Sequence, residues 1–245
     1  MSLRVLVTRG DSQGRRTGAR LASLGISPVF LPLTETAQIE AALPEGWKQA
    51  ERVAVTSANA LRHAAPALLA ALRDKPIHAV GGRTAEAAAN AGFSTVLPGP
   101  GTAGGLAASL AESRGAVLYL CGRVRRPEFE DSLALFGVAV QAIETYDTHA
   151  IVPSAESIGE YLEHAPVAAV LLYSVLAAET FAAVSGDPCL REAVAFALSP
   201  RIAAASRAAT RFAPSEPNEE ALLALLAAWA ANGDTAASFP RGQTC

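Results

Sequence analysis

Residues 53–61 read VAVTSANAL, and this stretch decides the fold. An apolar run rich in valine ends in the hydroxyl pair Thr56-Ser57, and an alanine-rich segment follows. A short apolar run closed by a small polar turn is typical of a buried strand, and an alanine-rich segment favours a helix. The stretch therefore predicts a strand–turn–helix unit of the kind that builds parallel sheets covered by helices.

The same unit recurs along the chain, in both directions from this stretch. The pattern predicts strands at 3–8, 28–33, 52–56, 77–81, 94–98, 116–122 and 138–146. It predicts helices at about 12–24, 58–72, 83–91, 103–113 and 126–136, of which Gly25, Gly92 and Gly137 close three. Regular alternation of strands and helices indicates an α/β fold.

An internal repeat indicates two similar α/β domains. VAVTSANAL (53–61) aligns with VLLYSVLAA (170–178) at an offset of 117 residues. Two further pairs follow at offsets of 118 and 116, namely 78–92 with 196–210 and 98–112 with 214–228. A nearly constant offset across three strand–helix units favours duplication over chance similarity.

Two polar stretches lie outside the repeat, LPLTETAQI (31–39) and AIETYDTHAI (142–151). Both alternate polar and apolar residues, as exposed strands do. We expect them to pair as a ladder that joins the two domains.

Composition and charge exclude several classes of protein. Hydrophobic residues make up 51% of the 245 residues, and the net charge of −3 argues against nucleic acid as the main partner. The longest apolar stretch, 221–231, is shorter than the roughly 20 residues that a membrane span needs. The three cysteines lack CxxC spacing, and the N-terminus begins directly with a strand pattern. We therefore expect a soluble cytoplasmic protein.

Familiar catalytic and cofactor motifs do not occur. The sequence contains no GxSxG, HExxH or phosphate-binding GxxxxGK[ST] pattern, and TRGDSQGRR (8–16) has two glycines at the wrong spacing for a dinucleotide site. The four histidines show no metal-ligand spacing.

Hydroxyl-bearing or small residues instead follow the predicted strands: Thr8, Thr56-Ser57, Gly81-Gly82 with Thr84, Gly122, Ser174 and Ser199. Ligands of open α/β sheets bind outside the carboxyl ends of strands, where helix N-termini expose backbone N–H groups that suit anions. Serine and threonine also serve as helix N-caps, so a structural role remains open for these positions.

Arginines stand beside the same turns, namely Arg9, Arg83, Arg123 and Arg201. Arginine binds carboxylates and phosphates through paired hydrogen bonds, which favours an anionic ligand in a cleft between the domains. Tyr146, in ETYDT, either packs against a domain edge or faces that cleft as a proton donor.

Together these stretches resemble the uroporphyrinogen-III synthase family. The resemblance extends over residues 3–229, and the matching segments are VLVTR (5–9), PLTETAQI (32–39), VTSANAL (55–61), AVGGRTAEAAANAG (79–92), VLYLCGRVRRPEFEDSLALFGVAV (117–140), IETYDT (143–148), LLYSVLAAETF (171–181) and LSPRIAAASRAA (198–209). Each segment is weakly diagnostic by itself, and their order and spacing are specific.

The resemblance implies two Rossmann- or flavodoxin-like parallel-sheet domains, joined by a two-stranded β ladder with the active-site cleft between them. Domain one is expected at 1–33 plus 150–230, the ladder at 34–39 with 143–149, and domain two at 40–142. Residues 231–245 are expected to form a disordered tail.

The implied reaction is the cyclisation of hydroxymethylbilane, a linear tetrapyrrole with eight carboxylates, to uroporphyrinogen III. Water is lost from the terminal hydroxymethyl group to give an azafulvene, and ring D is inverted through a spiro intermediate. Because a pyrrole nitrogen drives the loss of hydroxide, the protein needs mainly to hold the substrate in the productive conformation. The family is a monomeric cyclising lyase of haem biosynthesis that uses no cofactor and no metal.

The resemblance also implies site residues. Tyr146 matches the family's ladder tyrosine and is the best candidate to assist departure of the hydroxyl group. The candidate substrate-binding residues, which combine matched positions with other strand-end residues, are Arg9, Thr56, Ser57, Asn59, Gly81, Thr84, Gly122, Arg123, Ser174 and Arg201.

Two positions depart from the family pattern. Ile202 replaces the threonine of the family's GxxTA turn, and Tyr173 stands where Thr56 does in the other half. Domain one is therefore expected to bind through backbone groups and Arg201. Two alternatives remain: a non-catalytic two-domain module that binds an anionic ligand, and another α/β enzyme that acts on a phosphorylated metabolite.

Overall fold

The computed structural model describes residues 2–10, 12–113 and 115–232. Most of the tail expected at 231–245 lies outside the described residues, and Ala231 is instead the last residue of a helix.

The described residues form ten strands and ten α-helices. The strands are β1 (Arg4–Arg9), β2 (Ser27–Gln38), β3 (Arg52–Val55), β4 (Ile77–Ala79), β5 (Val96–Pro98), β6 (Val117–Gly122), β7 (Val140–Ala150), β8 (Ala169–Leu172), β9 (Val194–Ala197) and β10 (Arg211–Phe212). The helices are α1 (Ser12–Ser23), α2 (Ala58–Arg62), α3 (Pro66–Leu72), α4 (Gly82–Asn90), α5 (Ala103–Ala111), α6 (Glu128–Leu135), α7 (Ala155–Tyr161), α8 (Val175–Val184), α9 (Pro200–Ala205) and α10 (Glu219–Ala231). The predicted α/β class with parallel sheets is confirmed.

Unit 1 takes the residues up to Glu35 and those from His149 onward. Its strands lie in the order β2-β1-β8-β9-β10, and the pairs β1–β2, β1–β8, β8–β9 and β9–β10 are all parallel. In chain order this is 2-1-3-4-5, the flavodoxin arrangement.

Unit 2 is Thr36–Thr148. Its strands lie in the order β5-β4-β3-β6-β7, again with parallel pairs throughout. The sequence repeat falls on equivalent strands, because β3, β4 and β5 correspond to β8, β9 and β10. The pair β6–β7 then takes the place that β1–β2 takes in unit 1. Unit 2 thus has the same spatial arrangement of strands as unit 1, and the chain passes through these strands in a permuted order.

The two polar stretches of the sequence lie on β2 and β7, which are neighbouring strands and each run through both units. Within unit 1 the Ile151 amide donates to the Leu33 carbonyl, and within unit 2 the Ile39 amide donates to the Thr145 carbonyl. The partners run in opposite directions along the chain, as in an antiparallel pair.

Each sheet is buried on both faces. In β1, Leu6 belongs to one hydrophobic cluster of unit 1, while Val5 and Val7 belong to the cluster on the opposite face. In β3, Val53 and Val55 lie in one cluster of unit 2, and Ala54 lies in the other. This burial explains why the central strands are continuous apolar runs and why their polar turns lie at the ends.

One predicted helix was wrong in extent. The helix expected at 58–72 is broken into α2 and α3, because Pro66 starts a new helix and Ala65 before it is extended, with φ −60° and ψ 139°. The strand expected at 28–33 and the polar stretch expected to form the ladder at 34–39 are parts of one strand, Ser27–Gln38.

Among the described residues, no helix combines the length and the apolar character that crossing a membrane would require.

Candidate functional site

The strand order of unit 2 changes direction between β3 and β6. The chain leaves β3 toward β4 and β5, and later returns to β6 on the other side. Ligands of open α/β sheets bind at such a topological switch point. The residues that follow these two strands, together with Tyr146 on the neighbouring strand β7, are here called the unit 2 site.

Thr56, at the end of β3, is held by a tyrosine of the sheet. Its Oγ1 lies 2.6 Å from the hydroxyl of Tyr119 in β6, and Tyr119 is 2% exposed. Burial raises the pKa of Tyr119 to about 12, so its phenol stays neutral and can donate this bond. Sequence reasoning missed Tyr119, because it lies inside an apolar run that predicts only core.

Ser57 caps helix α2. Its hydroxyl oxygen accepts a bond of 3.2 Å from the Asn59 amide, and the Asn59 side chain accepts 3.1 Å from Arg62. The structural role that was open for Ser57 is therefore present. The remaining backbone N–H groups of this first turn lie at the carboxyl end of β3.

Gly81 and Thr84 belong to the next strand end of unit 2. Gly81 is the extended N-cap of α4, and its carbonyl accepts from the Thr84 amide at 3.0 Å. Thr84 is buried, and so is its counterpart in α9, Ile202, which packs into the core of unit 1. The third residue of each helix is therefore buried, and unit 1 has an isoleucine where unit 2 has a threonine.

Tyr146 lies directly against Gly122. The strand register pairs Cys121 with Glu144 and Gly122 with Tyr146, so Thr145 is an extra residue that forms a bulge in β7. A β-carbon at Gly122 would lie 2.5 Å from Cζ of Tyr146, which leaves room there for no side chain. The bulge and the glycine together seat the tyrosine ring at the carboxyl end of β6.

The surroundings of Tyr146 are aromatic on one side and charged on the other. The His63 ring lies 6.0 Å from the tyrosine ring, centroid to centroid. Burial, with a smaller contribution from nearby Arg62, lowers the pKa of His63 and favours its neutral form. Among the described residues, the Tyr146 hydroxyl has no hydrogen-bond partner, whereas its carbonyl accepts 2.8 Å from the Arg123 amide.

An ion-pair network follows β6. Arg123 lies 3.2 Å from Glu144 and 3.3 Å from Asp147, and Arg125 lies 3.0 Å from Glu144 and 2.9 Å from Glu130. The bond from Arg125 is the main cause that lowers the pKa of Glu144. Half of the Arg123 side chain is still exposed, at 54%, so its charge remains accessible to a ligand.

The equivalent switch point of unit 1 lies between β1 and β8, and it is built differently. The guanidinium of Arg9 lies over the Tyr173 ring, 3.3 Å from its centroid. Arg9 and Tyr173 also approach Glu219, at 3.6 Å and 3.2 Å. These residues, with Thr17 and Arg20, are here called the unit 1 cluster.

Glu219 is the centre of the unit 1 cluster. The Thr17 hydroxyl donates to it at 2.5 Å and Arg20 lies 3.3 Å away, so α10 is bonded to α1 and to the end of β8. Burial raises the pKa of Tyr173, which keeps its phenol neutral as a donor. Glu219 could be predicted from sequence only as a charge at a helix N-terminus.

The other candidate residues of unit 1 sit at helix starts. Ser174 caps α8 and accepts 3.1 Å from the Ala177 amide, while Ser199 caps α9. Arg201 and, in unit 2, Arg83 are exposed on the first turns of equivalent helices, and neither pairs with a described residue.

The structure thus brings eight of the predicted residues into unit 2 and leaves Arg9, Ser174 and Arg201 in unit 1. Unit 2 collects a phenol, an exposed arginine and capped helix starts. This arrangement can hold carboxylates and present one weak acid. Across residues 2–10, 12–113 and 115–232, no group of His, Cys, Asp and Glu could hold a metal ion.

The sequence was compared with protein families and with curated proteins. The family described as uroporphyrinogen-III synthase HemD matches residues 15–224 of the chain. Among curated proteins, none matches the sequence.

Two solved structures are similar in fold. The uroporphyrinogen-III synthetase of Helicobacter pylori is 17% identical with a TM-score of 0.63, and covers 94% of this chain and 100% of its own. A mutant uroporphyrinogen III synthase of Thermus thermophilus is 22% identical with a TM-score of 0.52, and covers 94% and 98% respectively.

Proposed function

The chain belongs to the uroporphyrinogen-III synthase family, the cyclising lyases of haem biosynthesis, and we propose that its unit 2 site carries the chemistry of ring closure. The substrate is hydroxymethylbilane, and the product is uroporphyrinogen III. One water is lost, and ring D is inverted through a spiro intermediate.

Tyr146 assists departure of the hydroxyl group. Its phenol donates a hydrogen bond to the leaving oxygen, and the C–O bond breaks as the pyrrole nitrogen supplies its electron pair. The resulting cation loses its N–H proton to solvent to give the neutral azafulvene. The proton that completes the water comes from the phenol or from solvent, and a phenol suffices because the pyrrole provides most of the driving force. Ring D then attacks the azafulvene carbon.

The substrate carboxylates are held by modest contacts at several strand ends. Thr56 and the first turn of α2 offer a hydroxyl and backbone N–H groups, and the exposed charge of Arg123 faces the same strand end. Ser57 and Asn59 contribute by shaping this turn. Holding a flexible chain at several points makes the productive ring closure faster than the unaided one.

The observation that carries this proposal is the placement of Tyr146. Its ring rests on Gly122 at the carboxyl end of β6, and no described residue takes its hydroxyl. The ring itself packs against a hydrophobic cluster of unit 2, so it is the hydroxyl that packing leaves without a role.

Enzymatically generated hydroxymethylbilane tests the proposal directly. The purified protein is mixed with it, and the products are oxidised and separated into isomers I and III. Isomer III above the unaided background is expected. Isomer I alone would contradict the proposal and favour the non-catalytic binding module.

The Tyr146→Phe variant tests the role of the phenol. We expect turnover to fall by roughly 10- to 100-fold, which is at or below the lower limit of about 100-fold for a general acid, because substrate conformation carries much of the effect. The circular dichroism spectrum should be unchanged. Full activity in this variant would leave Tyr146 with a structural role.

We further propose a monomer that acts in the cytoplasm without cofactor and without nucleic acid. The net charge of −3 supports the last point, because nucleic acid binding needs a clustered basic surface. Sedimentation of the active protein at a mass above 25.2 kDa would contradict the monomer.

A further inference from the structure

Thr145 is a buried polar residue next to Tyr146 that the reaction does not use. It is 0% exposed, in a strand position where valine would have nearly the same shape. A buried hydroxyl costs stability unless it is hydrogen-bonded. The Thr145 hydroxyl must therefore have hydrogen-bond partners inside the protein.

The Thr145 hydroxyl joins three elements of unit 2. It donates to the Ala60 carbonyl in α2 at 2.8 Å, and the Cys121 carbonyl at the end of β6 lies 3.4 Å away. Helix α2 is the one that follows the Thr56-Ser57 turn. One hydroxyl thus joins the bulge of β7 to the helix and the strand on either side of the site.

The backbone around the bulge is held on both sides as well. The carbonyl of Thr145 accepts 3.0 Å from the Ile39 amide, and the carbonyl of Tyr146 accepts 2.8 Å from the Arg123 amide. A bulge re-aims the side chain beside it, here that of Tyr146. Loss of the Thr145 hydroxyl would leave these two main-chain hydrogen bonds in place. It would remove only the bond between the bulge and α2.

Gly122 provides the space that the Tyr146 ring occupies. Its φ lies outside the left-handed region where glycine is needed for backbone reasons. A β-carbon there would lie 2.7 Å from Cε2 and 2.9 Å from the hydroxyl oxygen of Tyr146. Glycine is required at this position because the tyrosine ring occupies the space.

We propose that Thr145 and Gly122 are positioning residues that hold the Tyr146 ring at the unit 2 site, Thr145 by fixing the bulge and Gly122 by leaving room for the ring. The proposal rests on the proposed role of Tyr146. It predicts that both residues act on turnover through the phenol and not on substrate binding.

Replacing Thr145 by valine removes the hydroxyl and keeps the shape of the side chain, so it separates the effect of the hydrogen bond from that of packing. Thr145→Val should lower kcat by about tenfold with KM within about twofold, and Thr145→Ser should recover most of the loss. Thr180→Val is the control: Thr180 is also buried, in unit 1, and its hydroxyl donates 2.8 Å to the Leu176 carbonyl within its own helix α8. It should change stability and leave kcat unchanged.

A double-mutant cycle tests the route of the effect. In the Tyr146→Phe background, Thr145→Val should cause no further loss of kcat, because the group that it positions is gone. A full tenfold loss in that background, or equal losses in the valine and serine variants, would overturn the proposal.

A spectroscopic readout keeps the proposal separate from the catalytic one. The chain has four tyrosines, so 3-fluorotyrosine labelling gives a short ¹⁹F spectrum in which Tyr146→Phe assigns one resonance. Thr145→Val and Gly122→Ala should shift or broaden that resonance, and Thr180→Val should not. An unmoved resonance overturns the positioning of Tyr146, whereas normal turnover in Tyr146→Phe overturns only its proposed catalytic role.

Discussion

The two units share one strand arrangement and differ at the strand end that matters most. In unit 1, β1 ends at Arg9 and Gly10 follows; in unit 2 the equivalent strand β6 ends at Gly122, which the strand register places in the position of Gly10. A β-carbon would lie 2.9 Å from Cγ of Pro32 at Gly10 and 2.5 Å from Cζ of Tyr146 at Gly122. The two units therefore share the glycine and differ in the side chain that lies over it, a proline in unit 1 and a tyrosine in unit 2.

The arginines beside these two strand ends also differ in their contacts. Arg9 lies over the Tyr173 ring in a cluster centred on Glu219, whereas Arg123 is half exposed beside two carboxylates of β7. An arginine held against a ring and a carboxylate of its own unit stabilises the fold. The unit 1 strand end is thus occupied by contacts within the fold, whereas the unit 2 strand end carries the tyrosine for which we propose the chemical role.

A side chain at the end of β6 should give the largest effect. Gly122→Thr expels the Tyr146 ring, so we expect turnover to fall by about 100-fold, the upper end of the loss expected for Tyr146→Phe. In unit 1, Thr8 is 1% exposed and donates 2.8 Å to the Leu171 carbonyl, so Thr8→Gly should cost about 1–3 kcal/mol of stability and leave turnover of the folded protein near normal. Similar losses of turnover in the two variants would contradict a functional difference between the two units.

The two phenols should differ next. Tyr146→Phe should lower turnover by roughly 10- to 100-fold, while Tyr173→Phe should change it by less than about threefold, because the Tyr173 hydroxyl bonds to Glu219 within the fold. Steady-state kinetics of the two variants, measured side by side, give the two kcat values directly. A larger loss in Tyr173→Phe would move the reactive group to unit 1.

Glu219→Gln should act on stability alone. The amide keeps the size of the side chain and loses the charge that Arg9 and Arg20 approach. Because these groups are partly exposed, the cost should be about 1 kcal/mol, or 2–4 °C in Tm. Asp147→Asn offers a matched carboxylate in unit 2. A change in the ratio of isomers with Glu219→Gln would contradict a purely structural cluster.

Acidification should produce the smallest effect. Burial, followed by the charge of Arg52, lowers the pKa of His78 below its ordinary value of 6.5. The unfolded chain therefore binds the proton more readily, and the stability that neutral His78 contributes above pH 6.5 is lost as the pH falls toward the lowered value. His78→Asn should flatten the fall of Tm between about pH 7 and pH 5, and an unchanged slope would exclude this contribution.

The sequence predicts the sheets because their signals are local. Continuous apolar runs, hydroxyl turns and closing glycines each lie within a few residues, and the repeat relates the two sets of strands. The break at Pro66 was equally local, since the residue before a proline avoids the helical conformation. It could have been predicted from the sequence.

The site was harder to predict because its contacts are distant in sequence. The bulge at Thr145 depends on the register between β6 and β7, for which a single strand carries no signal. Glu219 meets Thr17 and Arg20 only after the sheet of unit 1 is complete. Helix α7 was missed as well, because it is short and follows a polar stretch.

The division of unit 1 into two chain segments has a consequence for synthesis on the ribosome. Val5 of β1 pairs with Ala169 of β8, and all of unit 2 is made between them. We therefore expect unit 2 to fold first, although it comes second in the chain, while β1 waits with its apolar faces uncovered. The last-made strands then close the first-made sheet, so the nascent N-terminal segment is where a chaperone would be needed most.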